Sequence, residues 1–209
     1  AGDVVQSLAG LVQLPEASVE VLQSLAKELD RRESSALGDA VLALVARGLV
    51  SWTASAKPAE GQRLAWCTLH KLAKDAVCRL SIWSESRSTL VACAASSQAE
   101  VRSPALGLLA ELSKQPENRQ GIWDKAHTTL IASAASSQAD VRYTALQALS
   151  ELTAESSIAG DVVQSLAELV QQPGASVEVL QSLAKELDKK GIPALGDAVL
   201  AQVARGLVT

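Results

Sequence analysis

The sequence repeats itself, and at two scales. The segment AGDVVQSLAGLVQLPEASVEVLQSLAKEL from Ala1 returns as AGDVVQSLAELVQQPGASVEVLQSLAKEL from Ala159. The match continues without a gap through ALGDAVLALVARGLV from Ala36 and ALGDAVLAQVARGLV from Ala194. Asp3 pairs with Asp161, a spacing of about 158. Between these copies lies a shorter period. The stretches Arg79–Glu117 and Arg119–Ser157 align at an offset of 40, placing Trp83 on Trp123, Val101 on Val141 and Leu112 on Leu152. Four units of about 40 residues fill the long period, and units of that length are the mark of stacked-repeat architectures.

Each unit reads as helices. In the unit from Asn118, Ile122 and Trp123 suit a short first helix, and Leu130, Ile131, Ala134 and Ala135 a second. The polar run Ser136-Ser137-Gln138-Ala139-Asp140 breaks the pattern, with Ser137 and Asp140 spaced as a helix start. Val141, Ala145, Leu149 and Leu152 then form an i, i+4, i+8, i+11 stripe on a longer third helix. Pro15, Pro58, Pro116 and Pro173 fall in the joints, and Pro104 and Pro193 are expected in first turns, where a missing amide donor does least harm. No alternating run reaches strand length. Small helical units cannot bury their apolar faces alone, but stacked they share one elongated core. The expectation is an all-α, right-handed α-solenoid of about five stacked repeats in a single domain spanning 1–209. Approximate repeats are 1–33, 34–77, 78–117, 118–157 and 158–191, with a partial repeat over 192–209.

The unit from Asn118 resembles an armadillo repeat. Asn118 and Ile122 fit its first helix, Leu130 its second, and Val141, Ala145, Leu146, Ala148, Leu149 and Leu152 its third. The unit from Cys78 matches through Ile82, Leu90, Val101, Ala105, Leu106, Leu109 and Leu112. A HEAT-like repeat, which merges the first two helices, is the neighbouring form of the same architecture. The resemblance implies a concave groove lined by third helices. Peptide-binding members carry a Trp and an Asn on each third helix there, the Asn amide holding the peptide backbone. This sequence departs from that. The Asn-equivalent position holds Glu111 and Glu151, and by helical pattern Glu28, Glu186 and Lys71; the Trp-equivalent position holds Gln147, Gly107, Cys67, Ser24 and Ser182. The candidate groove residues are therefore Glu28, Lys71, Glu111, Gln147, Glu151 and Glu186. A ladder of carboxylates suits a basic, extended partner segment, because carboxylates accept paired hydrogen bonds from Arg. Glu on an exposed helix face is also simply a good, solvated helix former.

Charge and composition narrow the function classes. With 19 Lys+Arg against 23 Asp+Glu, the chain is mildly acidic, which disfavours nucleic acid. No apolar run is long enough for a membrane span. Cys67, Cys78 and Cys93 have no disulfide or zinc spacing and read as buried apolar side chains in a reducing, cytoplasmic compartment. His70 and His127 stand apart without a nucleophile nearby, and no phosphate-binding loop is present. No enzyme, metal or cofactor is expected. Trp83 and Trp123 are expected as wedges between repeats, and Trp66 as core. Trp52, if partly exposed, would be a partner anchor. The long copies differ at Leu14 against Gln172 and Leu44 against Gln202, as a solenoid end with a more polar face requires. Two roles follow as expectations: an interaction scaffold for a protein or peptide, or an architectural rod that associates end to end.

Overall fold

A computed structural model describes residues 2–14, 16–31, 37–54 and 59–171. Among them run nine α-helices and no strand. They are α1 (Gly2–Val12), α2 (Val19–Asp30), α3 (Asp39–Ala54), α4 (Ala59–Ala73), α5 (Ala76–Ala94), α6 (Ala99–Ser113), α7 (Pro116–Ala134), α8 (Ala139–Leu152) and α9 (Ser156–Gln171). The odd-numbered helices pack on one another in sequence, α1 on α3, α3 on α5, α5 on α7 and α7 on α9. The even-numbered helices do the same, α2 on α4, α4 on α6 and α6 on α8. Each odd helix also packs on the even helix that follows it. The result is a two-layer α-solenoid with one continuous apolar core from Val5 to Leu169.

The repeat unit is a pair of helices. The short first helix and the second helix expected in the units from Cys78 and Asn118 are one helix each: α5 and α7 both run 19 residues without a break. The connecting residues in α7, Asp124 to Thr129, include neither Gly nor Pro, so nothing in the backbone forces a bend there. This is the HEAT-like form of the unit. Trp83 and Trp123 lie inside these long helices and are nearly buried, as wedges should be. A Cβ at Gly121 on α7 would come within 3.0 Å of Trp83 Nε1 on α5, so the bare glycine backbone lets the ring approach the next repeat.

Two other expectations are corrected. Pro104 is not in the first turn of α6 but inside the helix, where it denies the Glu100 carbonyl its usual amide donor. The start of α8 is capped at Gln138, without a side-chain cap bond, rather than by a Ser137–Asp140 pair. The polar turn belongs to Ser136, whose Oγ accepts from the Gln138 amide at 3.2 Å, as Ser96 Oγ does from Gln98 at 3.1 Å. Pro116 does open α7, at the position that tolerates it.

Polar staples fix each unit on the one before. Arg79 on α5 donates through Nε to the Ala73 carbonyl at 2.7 Å and through a terminal nitrogen to Lys74 at 3.0 Å. Arg119, at the same register on α7, donates to the Ser113 carbonyl at 2.9 Å. Both place a cation on the open carbonyls at the C-terminal end of the preceding even helix, where the helix dipole favours it. Asn118 is buried, and its side-chain amide donates to the Leu112 carbonyl and, across to α5, to the Arg79 carbonyl, each at 3.2 Å.

Replacing Asn118 leaves two buried carbonyls without a donor. Asn118→Ala is expected to lower unfolding free energy by about 1–3 kcal/mol, read from urea denaturation. Gly61 on α4 faces the Trp52 ring so closely that a Cβ would lie 2.2 Å from it. Gly61→Ala is expected to destabilise by about 1–3 kcal/mol through overpacking, against a gain of about 1 kcal/mol in helix propensity, in the same assay.

Candidate functional site

The even-numbered helices carry the candidate residues at one register. Glu28 lies on α2, Lys71 on α4, Glu111 on α6, and Gln147 with Glu151 on α8. Glu186 lies outside the described residues. Because α2, α4, α6 and α8 pack in succession, this register forms one line across the even-helix face. The line is not a bare row of carboxylates. Glu28 holds Arg31 at 3.4 Å and Glu111 holds Lys114 at 2.6 Å, each a cation of its own helix or helix end. Lys71 pairs with Asp30 across the α2–α4 seam. Glu111, Gln147 and Glu151 are half-buried, so their heads meet solvent while their stems lie on the helix surface.

Between α4 and α6 the face opens into a cavity of about 730 Å³. Its walls are largely apolar, from Ala59, Trp66, Cys67 and Pro104, and its rim carries Arg63, Lys71 and Lys74 against Glu100. The size falls within the range of pockets that enclose a ligand. Residues from two different units build it, so no single repeat motif announces it. Its sequence signal is indirect: α4 spends positions 63, 67, 70, 71 and 74 on one side, and α6 meets them with Pro104 and Gly107.

His70 ties the two walls together. Its Nε2 donates to the Pro104 carbonyl at 2.9 Å, and a Cβ at Gly107 would sit 3.1 Å from the ring. Burial pushes the His70 pKa below its ordinary value of 6.5; the Pro104 carbonyl and the charge of Glu111 oppose that, and Lys74 adds to it. His127 is bound to its own helix, Nδ1 to the Trp123 carbonyl at 3.0 Å, with its ring against the indole.

Other side chains fall where packing, not recognition, places them. Trp52 is 1% exposed, and its indole N–H donates to the Val12 carbonyl at 3.1 Å. It joins α3 to α1 and is no partner anchor. Cys78 and Cys93 are buried as expected, but Cys67 is exposed and lines the cavity. Trp66 belongs to the core and contributes to the cavity wall as well. Among the described residues, no three His, Cys, Asp or Glu side chains gather as metal ligands, and no helix is long and apolar enough to cross a membrane.

A solenoid of helix pairs with an open, part-apolar face defines a repeat scaffold of the armadillo/HEAT class. Solved structures agree on the fold. A designed armadillo repeat protein superposes with a TM-score of 0.61 at 16% identity, over 95% of this chain and 99% of its own. A second designed armadillo repeat protein, solved in complex with the peptide (KR)4, gives 0.61 at 15% identity over 97% and 98%. Computationally designed armadillo repeat proteins for modular peptide recognition give 0.60 at 19% identity over 94% and 82%. No curated protein sequence matches the chain. Residues 68–204 match the family described as IPO5-like, TPR repeats, and the chain belongs to that family. The helix-pair unit is what such a helix–turn–helix repeat requires.

His70 gives the site a pH signature. Its folded-state pKa lies below 6.5, so the unfolded chain takes up the proton first as pH falls. The stability tied to neutral His70 is full above 6.5 and is lost as pH drops from there through the folded-state pKa. Melting temperature is expected to fall over that window in the wild type, and less steeply in His70→Gln, measured by circular dichroism at matched ionic strength.

Proposed function

We propose that this chain is a non-catalytic scaffold for protein–protein interaction, whose even-helix face takes an extended segment of a partner. The observation that carries the reading is the apolar cavity between α4 and α6, opening beside Glu111 on the same face as Glu151. An open, apolar recess flanked by polar groups suits an anchoring side chain on a segment whose neighbours run along the surface. Charge divides the face. Around α4 the rim is cationic through Arg63, Lys71 and Lys74, while Glu111 and Glu151 stand on α6 and α8. A partner segment with an apolar anchor over α4 and basic residues over α6 and α8 fits this division. The Asn clamp of peptide-binding armadillo proteins has no counterpart at these positions, so side chains rather than backbone carry the recognition.

Two structural neighbours supply a probe. One is a complex with (KR)4, and another is of designs for modular peptide recognition. At under 20% identity they share the fold with this chain, and the ligand class is brought here as a test. A fluorescent Lys-Arg octapeptide is expected to bind by anisotropy and to weaken as salt rises. Charge reversal at two surface carboxylates removes two pairings of up to about 1 kcal/mol each and adds repulsion. Glu111→Lys with Glu151→Lys is therefore expected to lower affinity by about tenfold or more. Unchanged binding in the double variant would sink the basic-segment reading. Blocking of Cys67 by a maleimide that left anisotropy unaltered would argue against the cavity as the anchor site.

A further inference from the structure

Helices α1 and α9 are a controlled comparison within one chain. Gly2–Gln13 and Gly160–Gln171 are identical except that Gly10 stands where Glu168 does. Their burial nevertheless differs. Val162 is 0% and Leu169 3% exposed on α9, whereas their counterparts Val4 and Leu11 on α1 are 52% and 46% exposed. Leu166 is buried, and its counterpart Leu8 is only half so. The cause lies in the neighbours. α9 sits on α7 and α8 of the preceding unit, while α1 packs on α2 and α3. The same apolar edge is thus sealed by an α7–α8 pair in one place and open to solvent in the other. Leu14, at 42% exposure, extends the open edge.

We propose that the open edge of α1 docks on the α7–α8 pair of a second copy of this chain, taking the berth that α9 fills there. The occupant is fixed by sequence: a helix with this apolar edge is already seen in that berth, with Val162, Leu166 and Leu169 inserted. Residues 1–50 would then continue the stack in the register of 159–208, because the two stretches repeat one another. The competitor is the second copy's own α9. It is tethered to α8 by a short joint, which gives it an effective concentration in the millimolar range, about 1 mM. Gly10 also makes α1 the poorer helix former of the two. Exchange therefore grows with concentration, and at high dilution each copy keeps its own α9.

The contact is head to tail. It joins the α1 end of one copy to the α7–α8 pair of the next, two different surfaces, so it does not close after two copies. That separates it from α1 edges pairing with each other, which would stop at a dimer. It is also independent of the partner-binding reading of the even-helix face.

The test is sedimentation velocity on the full chain from about 1 µM to about 1 mM, the range set by the tether. Wild type is expected to pass from monomer through dimer to larger species. Val4→Glu with Leu11→Glu is expected to remain monomeric throughout, with unchanged helix content and melting temperature. Both side chains are exposed, and an acid in the first turn of a helix is favourable, so the variant keeps its fold. Its binding of the Lys-Arg octapeptide should match wild type. A monomeric wild type at every concentration, growth that ends at a dimer, or equal association of the double variant would each overturn the proposal.

Discussion

The molecule depends on the fact that no unit of about forty residues can cover its own apolar surface. Each helix pair presents an apolar flank to the pair before it and another to the pair after it. The indoles of Trp83 and Trp123, nearly buried within α5 and α7, fill the resulting seams. The polar staples serve the same requirement. An even helix ends with open carbonyls that face the next unit, and Arg79, Arg119 and Asn118 supply donors to them from that unit. Apolar contact provides the attraction between neighbours, and these hydrogen bonds fix the register in which they meet.

The same constraint shapes the candidate site. Where α6 meets α8 or α3 meets α5, side chains fill the seam. Between α4 and α6 they do not: Pro104 interrupts the backbone bonding of α6, Gly107 offers no side chain, and His70 spans the gap to a carbonyl. The cavity is the space left over. Its cationic rim comes from α4 alone, because Arg63, Lys71 and Lys74 lie on the side of that helix facing α6. Glu111 stands at the edge of this field, near enough to influence His70. Recognition on this face is thus set by a local failure of repeat-to-repeat packing rather than by a motif copied in every unit.

Much of the fold is legible in the sequence because periodicity encodes it directly. The 40-residue offset places Trp83 and Trp123, and the stripe Val141, Ala145, Leu149, Leu152 gives the buried side of α8. What is not legible concerns continuity and depth. A bend between first and second helices leaves no mark when the linking residues are all helix-compatible, so the armadillo template and the HEAT-like form share one sequence pattern. Trp52 and Cys67 exchange roles for a related reason. An aromatic near a helix end and a thiol on a helix have no fixed depth until their neighbours are known. Trp52 meets bare Gly61 and the end of α1, and is sealed. Cys67 faces the seam that never closes. The line of Glu28, Lys71, Glu111 and Glu151 was readable as a register, but its pairing with Arg31, Asp30 and Lys114 depends on rotamers that one-dimensional spacing does not specify.

The interchangeability of α1 and α9 has a genetic side. A recombination event between the two long copies would delete or add a whole block of four units while leaving each surviving seam with the neighbour it already fits. No residue at these junctions counts how many units precede it. The length of such an array is free to drift in steps of one block, and selection on it acts through reach and valence rather than through the stability of any junction.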